Sequence, residues 1–497
     1  MNRFNTLSAT FTFLLYSFLI NAQWTQKGAD IYGQASQDLF GSSIAMSQDG
    51  FIMAVGAPEH STANGEVGMV RVMEWNGTDW VQRGQDIVGD VEWNKFGHAV
   101  ALSDDGTVLA IGAPGVSSVN LGVGTIGRAK IFEWNSSNWV QMGATIEYET
   151  VFRQFGSAVA LSEDGNRLSV GAAWAGQGEV LNYEWDNTDW VQVGTKISGP
   201  PPGGTMAGSS IVLSPDGLIV TFGAPRNDGA SGNNGSGAVR TYEWDGNDWI
   251  QSVDLIPGDS IEDQFGLSIS MSYATDTLII VGAHKNDDNG ANTGIATVYK
   301  RQGSSWVQHG SSLYGENAND WYGYSVAISG DGTRIIVGGK KHNANGLGSG
   351  HGKIYEWLNN DWQLVGEIEG DAPSDECGSA VAMNYNGRIA AIGAPLNDGN
   401  WTDAGQVRVY EDGIQGVNNL SSLTINVYPN PVENILHIDG LEEGKVNYAI
   451  VDLSGRVILD GELNANSAIN VSDLKKGMYT LQLEKDGAVL TEVLVKG

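Results

Sequence analysis

Four short β-like runs, rich in apolar residues and bounded by polar turns, follow one another in a unit that the chain repeats. In the second copy they read "GHAVALS" (97–103), "TVLAIGAP" (107–114), "GRAKIFEW" (127–134) and "WVQMGATI" (139–146). Short apolar runs bounded by turn residues are typical of β-strands. The polar turns between them, Ser-x-Asp-Gly after the first run and "NSSN" after the third, predict antiparallel hairpins. Each copy is therefore predicted to fold as a four-stranded antiparallel sheet.

The unit recurs seven times in one register. The glycine of a Gly-Ala-Pro-like element marks each copy, and we call it the GAP glycine: Gly56, Gly112, Gly171, Gly223, Gly282, Gly338 and Gly393. A second element, whose glycine we call the FG glycine, precedes it at Phe40–Gly41, Phe96–Gly97, Phe155–Gly156, Ala207–Gly208, Phe265–Gly266, Tyr322–Gly323 and Cys377–Gly378. A β-helix has much shorter coils, whereas sheets of this size bury both faces when they are arranged radially. The predicted fold class is all-β, a seven-bladed β-propeller.

The fourth run is displaced in the last copy. It begins with tryptophan in the other six, at Trp80, Trp139, Trp190, Trp249, Trp306 and Trp362. The seventh copy stops after its third run, "QVRVYEDG" (406–413), while an additional fourth run, "WTQKGADI", lies at 24–31. We predict that this N-terminal strand pairs with the third run of the last copy, because the pairing removes an open sheet edge. The regular position of the tryptophans favours packing within blades over stacking on sugars.

Seven Phe-Gly and Gly-Ala-Pro elements in register resemble the FG-GAP propellers, whose members include the integrin α-subunit head domains. The resemblance covers residues 23–412. Integrin-type repeats carry an Asp-x-Asp-x-Asp-Gly calcium loop between the first two strands. The corresponding loop here is Ser-x-Asp-Gly or a variant of it. That loop offers too few oxygens for a calcium shell of six to eight ligands, so these metal sites are not carried over.

The last 85 residues have a different pattern. A polar linker at 413–422 precedes strand-like runs at 423–497 that predict a small β-sandwich. The segment resembles the type A C-terminal sorting domain of the type IX secretion system. The motifs that carry this resemblance are Tyr428-Pro429-Asn430-Pro431, Asp452 to Arg456, and "LKKGMYTL" (474–481). The resemblance implies that residues 423–497 engage the type IX secretion machinery, and that removal of the tail leaves the protein secreted or attached to the outer cell surface.

The N-terminus has the pattern of an export signal. Arg3 precedes the apolar run "FTFLLYSFLI" (11–20), and the small Ala22 suits cleavage. We therefore predict a signal peptide at residues 1–22. No later apolar run reaches 18 residues, so no transmembrane segment is predicted.

Charge and chemistry narrow the functional classes. The net charge of −31 disfavours nucleic acid as a partner. Cys377 is the only cysteine, so no disulfide forms within the chain. No metalloprotease or serine-hydrolase motif is present, and no catalytic residue is predicted. The favoured function is a secreted or cell-surface binding protein of adhesion type, with an unknown glycan or protein ligand. The alternative is an exported propeller hydrolase that acts on polysaccharide or glycoprotein.

The loops joining the second and third strands predict the ligand face. They are long and polar, as in "RNDGASGNNGSG" and "KNDDNGANTG", whereas the opposite end has tight turns that leave little room for a site. Acids also recur two residues before the first residue of the FG element, at Asp38, Asp263, Asp320 and Asp375. The predicted ligand-binding residues are Asp228, Asp263, Asp287, Asp288, Asp320, Asp375 and Asp398. Weak calcium binding is predicted at Asp263, Asp287, Asp288, Asp375 and Asp398, since carboxylates suit this ion. The competing interpretation is that Asn-Asp-Gly merely forms turns and that Asp caps strand starts.

Overall fold

A computed structural model describes most of two segments of the chain. The first is residues 23–413 without 64, 116, 119–122, 151–152, 201–203, 228–234 and 273–276. The second is residues 426–496 without 429–431, 440–445, 452–456, 464–466, 473 and 486–487. The predicted signal peptide, Asp228 and all of the predicted linker except Gly413 lie outside the described residues. The chain divides into two compact units, the first ending at Asp412 and the second beginning at Gly413.

The described part of the first unit contains seven antiparallel sheets of four or five strands. We number them by the repeat that supplies their first strand. Sheet 1 consists of Ser43–Met46, Ile52–Ala57, Met69–Trp75, Trp80–Gln82 and Ile87–Val88. Sheet 2 consists of Ala99–Leu102, Val108–Ala113, Arg128–Trp134, Trp139–Gln141 and Ile146–Glu147. Sheet 3 consists of Phe155–Leu161, Arg167–Ala172, Glu179–Trp185, Trp190–Gln192 and Ile197–Ser198.

Sheets 4 to 7 follow the same plan. Their strands are Ser210–Leu213, Ile219–Gly223, Ala238–Trp244, Trp249–Gln251 and Ile256–Pro257; Ser268–Ser272, Leu278–Ala283, Ile295–Gln302, Ser305–Gln308 and Leu313–Tyr314; Tyr322–Ile328, Arg334–Gly339, His351–Leu358 and Asp361–Glu369; and Ala380–Met383, Ile389–Ala394, Gln406–Gly413, Gln23–Gln26 and Ile31–Tyr32. Two small hairpins, Ser61–Thr62 with Gly65–Glu66 and Ser117–Ser118 with Val123–Gly124, lie in loops. The described residues contain no helix, and none that could cross a membrane.

The N-terminal strand closes the last sheet, as predicted. Gln23–Gln26 lies beside Gln406–Gly413, and Ile31 pairs with Val407 farther along the same strand. The first strand of each sheet contacts the first strand of the next, and that of sheet 7 contacts that of sheet 1. The all-β propeller class with an N-terminal closing strand is therefore confirmed.

The fourth run differs from the prediction of a single strand. In six of the seven sheets it is two short strands that pair with the same third strand. A residue with positive φ interrupts most of these runs, as at Gly84 (φ 77°) and Gly143 (φ 76°). Sheet 6 has no positive φ at the equivalent Gly366, and its fourth strand, Asp361–Glu369, is continuous. The glycine conformation therefore accounts for the break in the sheets that have it. Sheet 4, with Val253 at the equivalent position and no positive φ there, is interrupted without it.

The FG and GAP glycines of neighbouring sheets touch. The FG glycine has positive φ, as at Gly156 (φ 91°), and its carbonyl oxygen lies against the GAP glycine of the preceding sheet. A Cβ on Gly112 would lie 2.1 Å from the oxygen of Gly156. The same contact closes the ring, since a Cβ on Gly393 of sheet 7 would lie 2.1 Å from the oxygen of Gly41 of sheet 1. Both motif glycines are thus required by one interface between sheets.

The fourth-strand tryptophans also link neighbouring sheets. The indole of Trp139 in sheet 2 donates to the Arg83 carbonyl of sheet 1 at 3.0 Å. The Trp80 indole of sheet 1 donates to the Lys27 carbonyl beside the closing strand at 2.9 Å. Trp190, Trp249 and Trp362 make equivalent bonds, and all five rings are buried. Because buried rings cannot stack on a sugar, these side chains are packing residues.

The described part of the second unit contains two antiparallel sheets that share one core. One contains Asn426–Tyr428, Ile435–Asp439 and Ser467–Asn470, and the other contains Val457–Leu463, Val446–Val451, Gly477–Lys485 and Ala488–Lys496. Leu436 and Ile438 of the first sheet pack with Ile450, Leu481 and Leu483 of the second. This is the β-sandwich that the alternation predicts. The motif residues Pro429, Asn430 and Pro431 and the segment 452–456 lie outside the described residues.

We expect Gly112→Ala to lower the free energy of unfolding by about 3 kcal/mol or more, because its methyl group would overlap a backbone carbonyl that cannot rotate away. Gly77→Ala is the matched control: Gly77 has φ 98°, but a Cβ at this position would have no atom within 4 Å, so only about 1 kcal/mol of backbone strain is expected. Guanidinium denaturation of both variants measures the difference. Equal losses would show that the glycine contact does not limit packing between the sheets.

Candidate ligand sites at the two ends of the propeller

The sheets present two chemically different ends. We call the end with the Ser-x-Asp-Gly turns the turn end. The other end, which carries the loops between second and third strands and the loops entering each sheet, is called the rim end. All the described candidate acids from the sequence lie at the rim end.

The acids that precede the FG elements are buried structural groups. Asp38, Asp263, Asp320 and Asp375 are each at most 3% exposed. Three of them accept backbone N–H groups of the loop entering the sheet: Asp38 from Ala35 at 2.9 Å, Asp320 from Asn317 at 2.7 Å and Asp375 from Ala372 at 3.0 Å. This geometry is the turn and capping role that the competing interpretation describes.

The same carboxylates also contact the loop between the second and third strands of their own sheet. The partner lies four residues after the GAP glycine in each case. The contacts are Asp38 with His60 Nδ1 at 2.9 Å, Asp263 with Asn286 Nδ2 at 2.8 Å, Asp320 with His342 Nδ1 at 3.2 Å and Asp375 with Asn397 Nδ2 at 2.9 Å. Each buried acid therefore joins the two loops that form the rim.

The remaining described candidate acids are exposed. Asp287 accepts the Asn292 N–H at 2.6 Å, and Asp398 accepts the Asp403 N–H at 3.0 Å, so both close turns. Asp288 lies beside Asp287 at the surface. Burial, with smaller contributions from Asp259, Asp288 and Asp287, raises the pKa of Asp263 to about 6. The structure thus brings the sheet 5 acids close together, as the sequence suggests.

The rim acids do not form a calcium shell. No three His, Cys, Asp or Glu side chains in the described part of the chain are grouped so that they could hold a metal ion. Several of the candidate oxygens are already occupied by backbone N–H groups or amides. One oxygen of Asp263, Oδ1, is buried without a partner among the described residues. Calcium at these positions remains a prediction, and the geometry does not support it.

A cavity of about 400 Å³ opens at the turn end, where the tight turns predict little room for a site. We call it the axial mouth. All seven sheets or their turns contribute to its lining, which consists of Met46, Ser47, Gln48, Asp104, Leu161, Glu163, Leu213, Ser214, Pro215, Met271, Ile328, Gly330, Met383 and Tyr385. Its volume lies in the range of small-molecule sites. The expectation of little room was wrong because the turns surround the propeller axis without filling it.

Tight turns position the polar residues of the axial mouth. In each Ser-x-Asp-Gly turn the serine donates to the aspartate, as Ser103 does to Asp105 at 2.7 Å. The variable residue x faces the mouth, and its backbone bonds to the neighbouring turn. Gln48 N–H donates to the backbone carbonyl of Asp104 at 2.8 Å, and Asp104 N–H donates to the backbone carbonyl of Glu163 at 3.0 Å. The hydrogen bonds thus fix the backbone of x around the axis, and the side chain of x takes no part in them.

Two neighbouring carboxylates give the axial mouth its charge. Burial, followed by the Glu163 and Asp105 carboxylates, raises the pKa of Asp104 to about 6. None of the described lining residues is Lys, Arg or His. Apolar side chains from the ends of first strands, among them Met46, Leu161 and Met271, lie next to these acids in the lining. The site offers negative charge beside an apolar surface.

Two family models match parts of the chain. Residues 249–299 and 315–355 match the FG-GAP repeat, and residues 426–496 match the secretion system C-terminal sorting domain. The tail is a type IX sorting domain. Its presence indicates that the protein is exported by type IX secretion and is secreted or located at the cell surface. The type IX machinery is accordingly the partner of this segment.

Solved structures with a similar fold have low sequence identity to the chain. Raptor of Chaetomium thermophilum is 11% identical, with a TM-score of 0.51 over 80% of this chain and 30% of that chain. Sqt1 of Chaetomium thermophilum, solved bound to the N-terminus of ribosomal protein L10, is 14% identical, with a TM-score of 0.46 over 93% of this chain and 99% of that chain. The Dos1 propeller is 12% identical, with a TM-score of 0.46 over 78% and 96%. A search of curated proteins found none that matches.

We expect Asp263→Asn to raise the free energy of unfolding at pH 8 by about 2 kcal/mol, because the raised pKa shows that the ionised form is disfavoured in the fold. The gain should shrink as the pH falls from 6 to 4, where the native carboxyl becomes protonated. Denaturation curves at pH 8 and pH 4.5 measure it.

Asp320→Asn is the matched control. Although burial alone would raise the pKa of Asp320, the ion pair with His342 and the hydrogen bond from the Asn317 N–H lower it, so the ionised form stabilises the fold. This variant should lose stability at pH 8. A loss for Asp263→Asn at pH 8, with calcium stabilising only the native protein, would contradict the structural role of Asp263 and support a metal site.

Proposed function

We propose that this protein is an extracellular binding protein of adhesion type whose propeller binds a glycan or protein ligand at the axial mouth. The observation that carries the proposal is the mouth itself: a cavity to which all seven sheets contribute, with neighbouring carboxylates beside apolar side chains. Export by the sorting tail supports it, since the ligand must then be extracellular. We further propose that residues 1–22 are a removed signal peptide and that the tail is removed after export.

The proposal includes a single seven-bladed ring of the integrin α type. Its support is the seven sheets and the glycine contact that joins sheet 7 to sheet 1. The FG-GAP matches at 249–299 and 315–355 support the same repeat family. The domain limits 23–412 for the propeller, 413–422 for the linker and 423–497 for the sorting domain belong to this proposal.

The rim end is the second proposed ligand face. Asp287, Asp288 and Asp398 present exposed carboxylates there, and Asp263, Asp320 and Asp375 fix the loops that carry them. Asp228 belongs to the same set by its place in the repeat. A ligand bound here would contact loops whose conformation is fixed by buried acids.

A hydrolase is the alternative that one observation favours. Asp104 has a raised pKa and lies next to the carboxylate Glu163 in the axial mouth. A carboxyl group with a raised pKa beside a second carboxylate is the arrangement that glycosidases use. Release of reducing ends from a polysaccharide, lost in Glu163→Gln, would establish this activity in place of binding.

Two tryptophan variants of the chain from residue 23 onward test the binding proposal on glycan and extracellular-protein arrays, with and without calcium. Gln48→Trp fills the axial mouth from an exposed position, and Leu347→Trp adds the same bulk at the rim end, where Leu347 is 79% exposed. We expect the mouth variant to weaken binding at least tenfold and the rim variant to leave it unchanged.

Two outcomes would contradict the proposal. The reverse pattern would place the ligand at the rim end. The absence of any ligand on either array, together with release of reducing ends, would replace binding by hydrolysis.

Export gives a separate prediction. A chain truncated at Gly416 should fold its propeller but accumulate inside the native host, because the sorting domain begins beyond this point. Immunoblots of medium and cell fractions measure its distribution. The control is a full-length chain with Gly77→Ala, which should be exported. Normal secretion of the truncated chain would contradict the role of the tail.

A further inference from the structure

The lining of the axial mouth contains two carboxylates and no described basic side chain. Asp104 is half-buried and Glu163 is exposed, and the Glu163 carboxylate is close enough to disfavour a charge on Asp104. No described cation is paired with either carboxylate. A cationic ligand would relieve this repulsion, whereas an anionic ligand would increase it.

The apolar part of the lining sets a second condition. Met46, Met271 and Met383 supply flexible thioether side chains, and Ile328 supplies a buried aliphatic one. These groups give no ligands to a hard cation such as calcium, which requires oxygens. They do suit an alkyl chain, because methionine adapts its shape to apolar partners.

The aromatic residue at the edge completes the site. Tyr385 is 42% exposed and lines the mouth from the turn of sheet 7. An ammonium group that enters the mouth would pass close to the ring, and aromatic faces attract such cations. The cavity volume of about 400 Å³ accommodates an alkyl chain of several carbons.

We infer that the axial mouth binds a primary ammonium group carried on a short alkyl stem, with the ammonium at Asp104 and Glu163 and the stem against the methionines. This inference rests on the proposed function and names the chemical class of its ligand. Lysine side chains and free polyamines share this chemistry. Both can occur outside the cell.

Methionine methyl NMR of the chain from residue 23 onward tests the inference with pentylammonium as the probe. The methyl signals of Met46, Met271 and Met383 should shift, while that of the buried Met69, at the opposite end of sheet 1, stays in place. Pentan-1-ol and pentanoate have the same stem without the positive charge. Both should bind at least tenfold more weakly. Equal binding of the alcohol would overturn the inference, as would shifts spread over all methionines.

Isosteric variants locate the charge. Asp104→Asn and Glu163→Gln should each weaken pentylammonium binding at least fivefold at pH 7.5, and Glu66→Gln, which neutralises an exposed carboxylate at the rim end, should not. In the native chain the affinity should fall about tenfold between pH 7.5 and pH 5, because protonation of Asp104 removes its charge. A flat pH profile with unaltered binding in both variants would overturn the role of the carboxylates.

Further arms separate the source of the ammonium and the two proposals. Acetyl-lysine-methylamide with a free side-chain amine represents a protein ligand, and spermidine represents a free polyamine; preference for one identifies the source. If an array ligand is lost in Gln48→Trp but pentylammonium does not bind, the binding function stands and the ammonium inference fails. If pentylammonium binds but Gln48→Trp spares every array ligand, the axial mouth binds ammonium groups, and the proposal that it binds the array ligand fails.

Discussion

The contact between an FG glycine and the GAP glycine of the preceding sheet is the constraint on which the propeller depends. At every one of the seven junctions a Cβ on the GAP glycine would lie 1.8–2.3 Å from the carbonyl oxygen of the next FG glycine. The FG glycines themselves adopt φ between 79° and 93°, a region that other residues enter only with strain. Two motifs about 15 residues apart in sequence are therefore the two halves of one interface. Their repetition reflects the repetition of that interface around the ring.

The glycine contact explains which part of the motif changes. The residue before the FG glycine is aromatic in five sheets. It is Ala207 in sheet 4 and Cys377 in sheet 7, yet the glycine is retained in both. A side chain can be exchanged if a neighbour fills the volume. Phe222 packs in the same cluster as Ala207 and stacks on Tyr242, with ring centroids 5.6 Å apart. No such exchange is available where a backbone carbonyl occupies the position of the missing Cβ.

The fold could be predicted from the sequence because these constraints repeat, and the site could not because its residues do not. Seven copies in register predict the sheets, and the orphan strand at 24–31 predicts the closing pair. The axial mouth depends on the variable residue of each Ser-x-Asp-Gly turn, which is Gln48, Asp104, Glu163 or Pro215 in the first four sheets. Taken one turn at a time, these residues look like ordinary solvent-exposed turn positions. Their convergence on one axis becomes visible only when the ring is built. Burial is equally hidden: Asp263 and Asp287 look alike in sequence, but only Asp263 is withdrawn from solvent.

The two ends of the propeller therefore differ in how tightly their acids are bound to the scaffold. At the rim end, Asp38 and Asp375 accept backbone N–H groups and hold two loops together, so replacing them would disturb the loops as well as any ligand. At the turn end, the serine and aspartate of each Ser-x-Asp-Gly turn form the scaffold, and the backbone of the variable residue completes it. The side chains of Asp104 and Glu163 can then change without cost to the turn. The glycine contacts hold the sheets together, and the side chain of the variable residue in each Ser-x-Asp-Gly turn makes no contact that the turn requires. Substitutions at these positions can therefore alter the chemistry of the axial mouth while the fold is preserved.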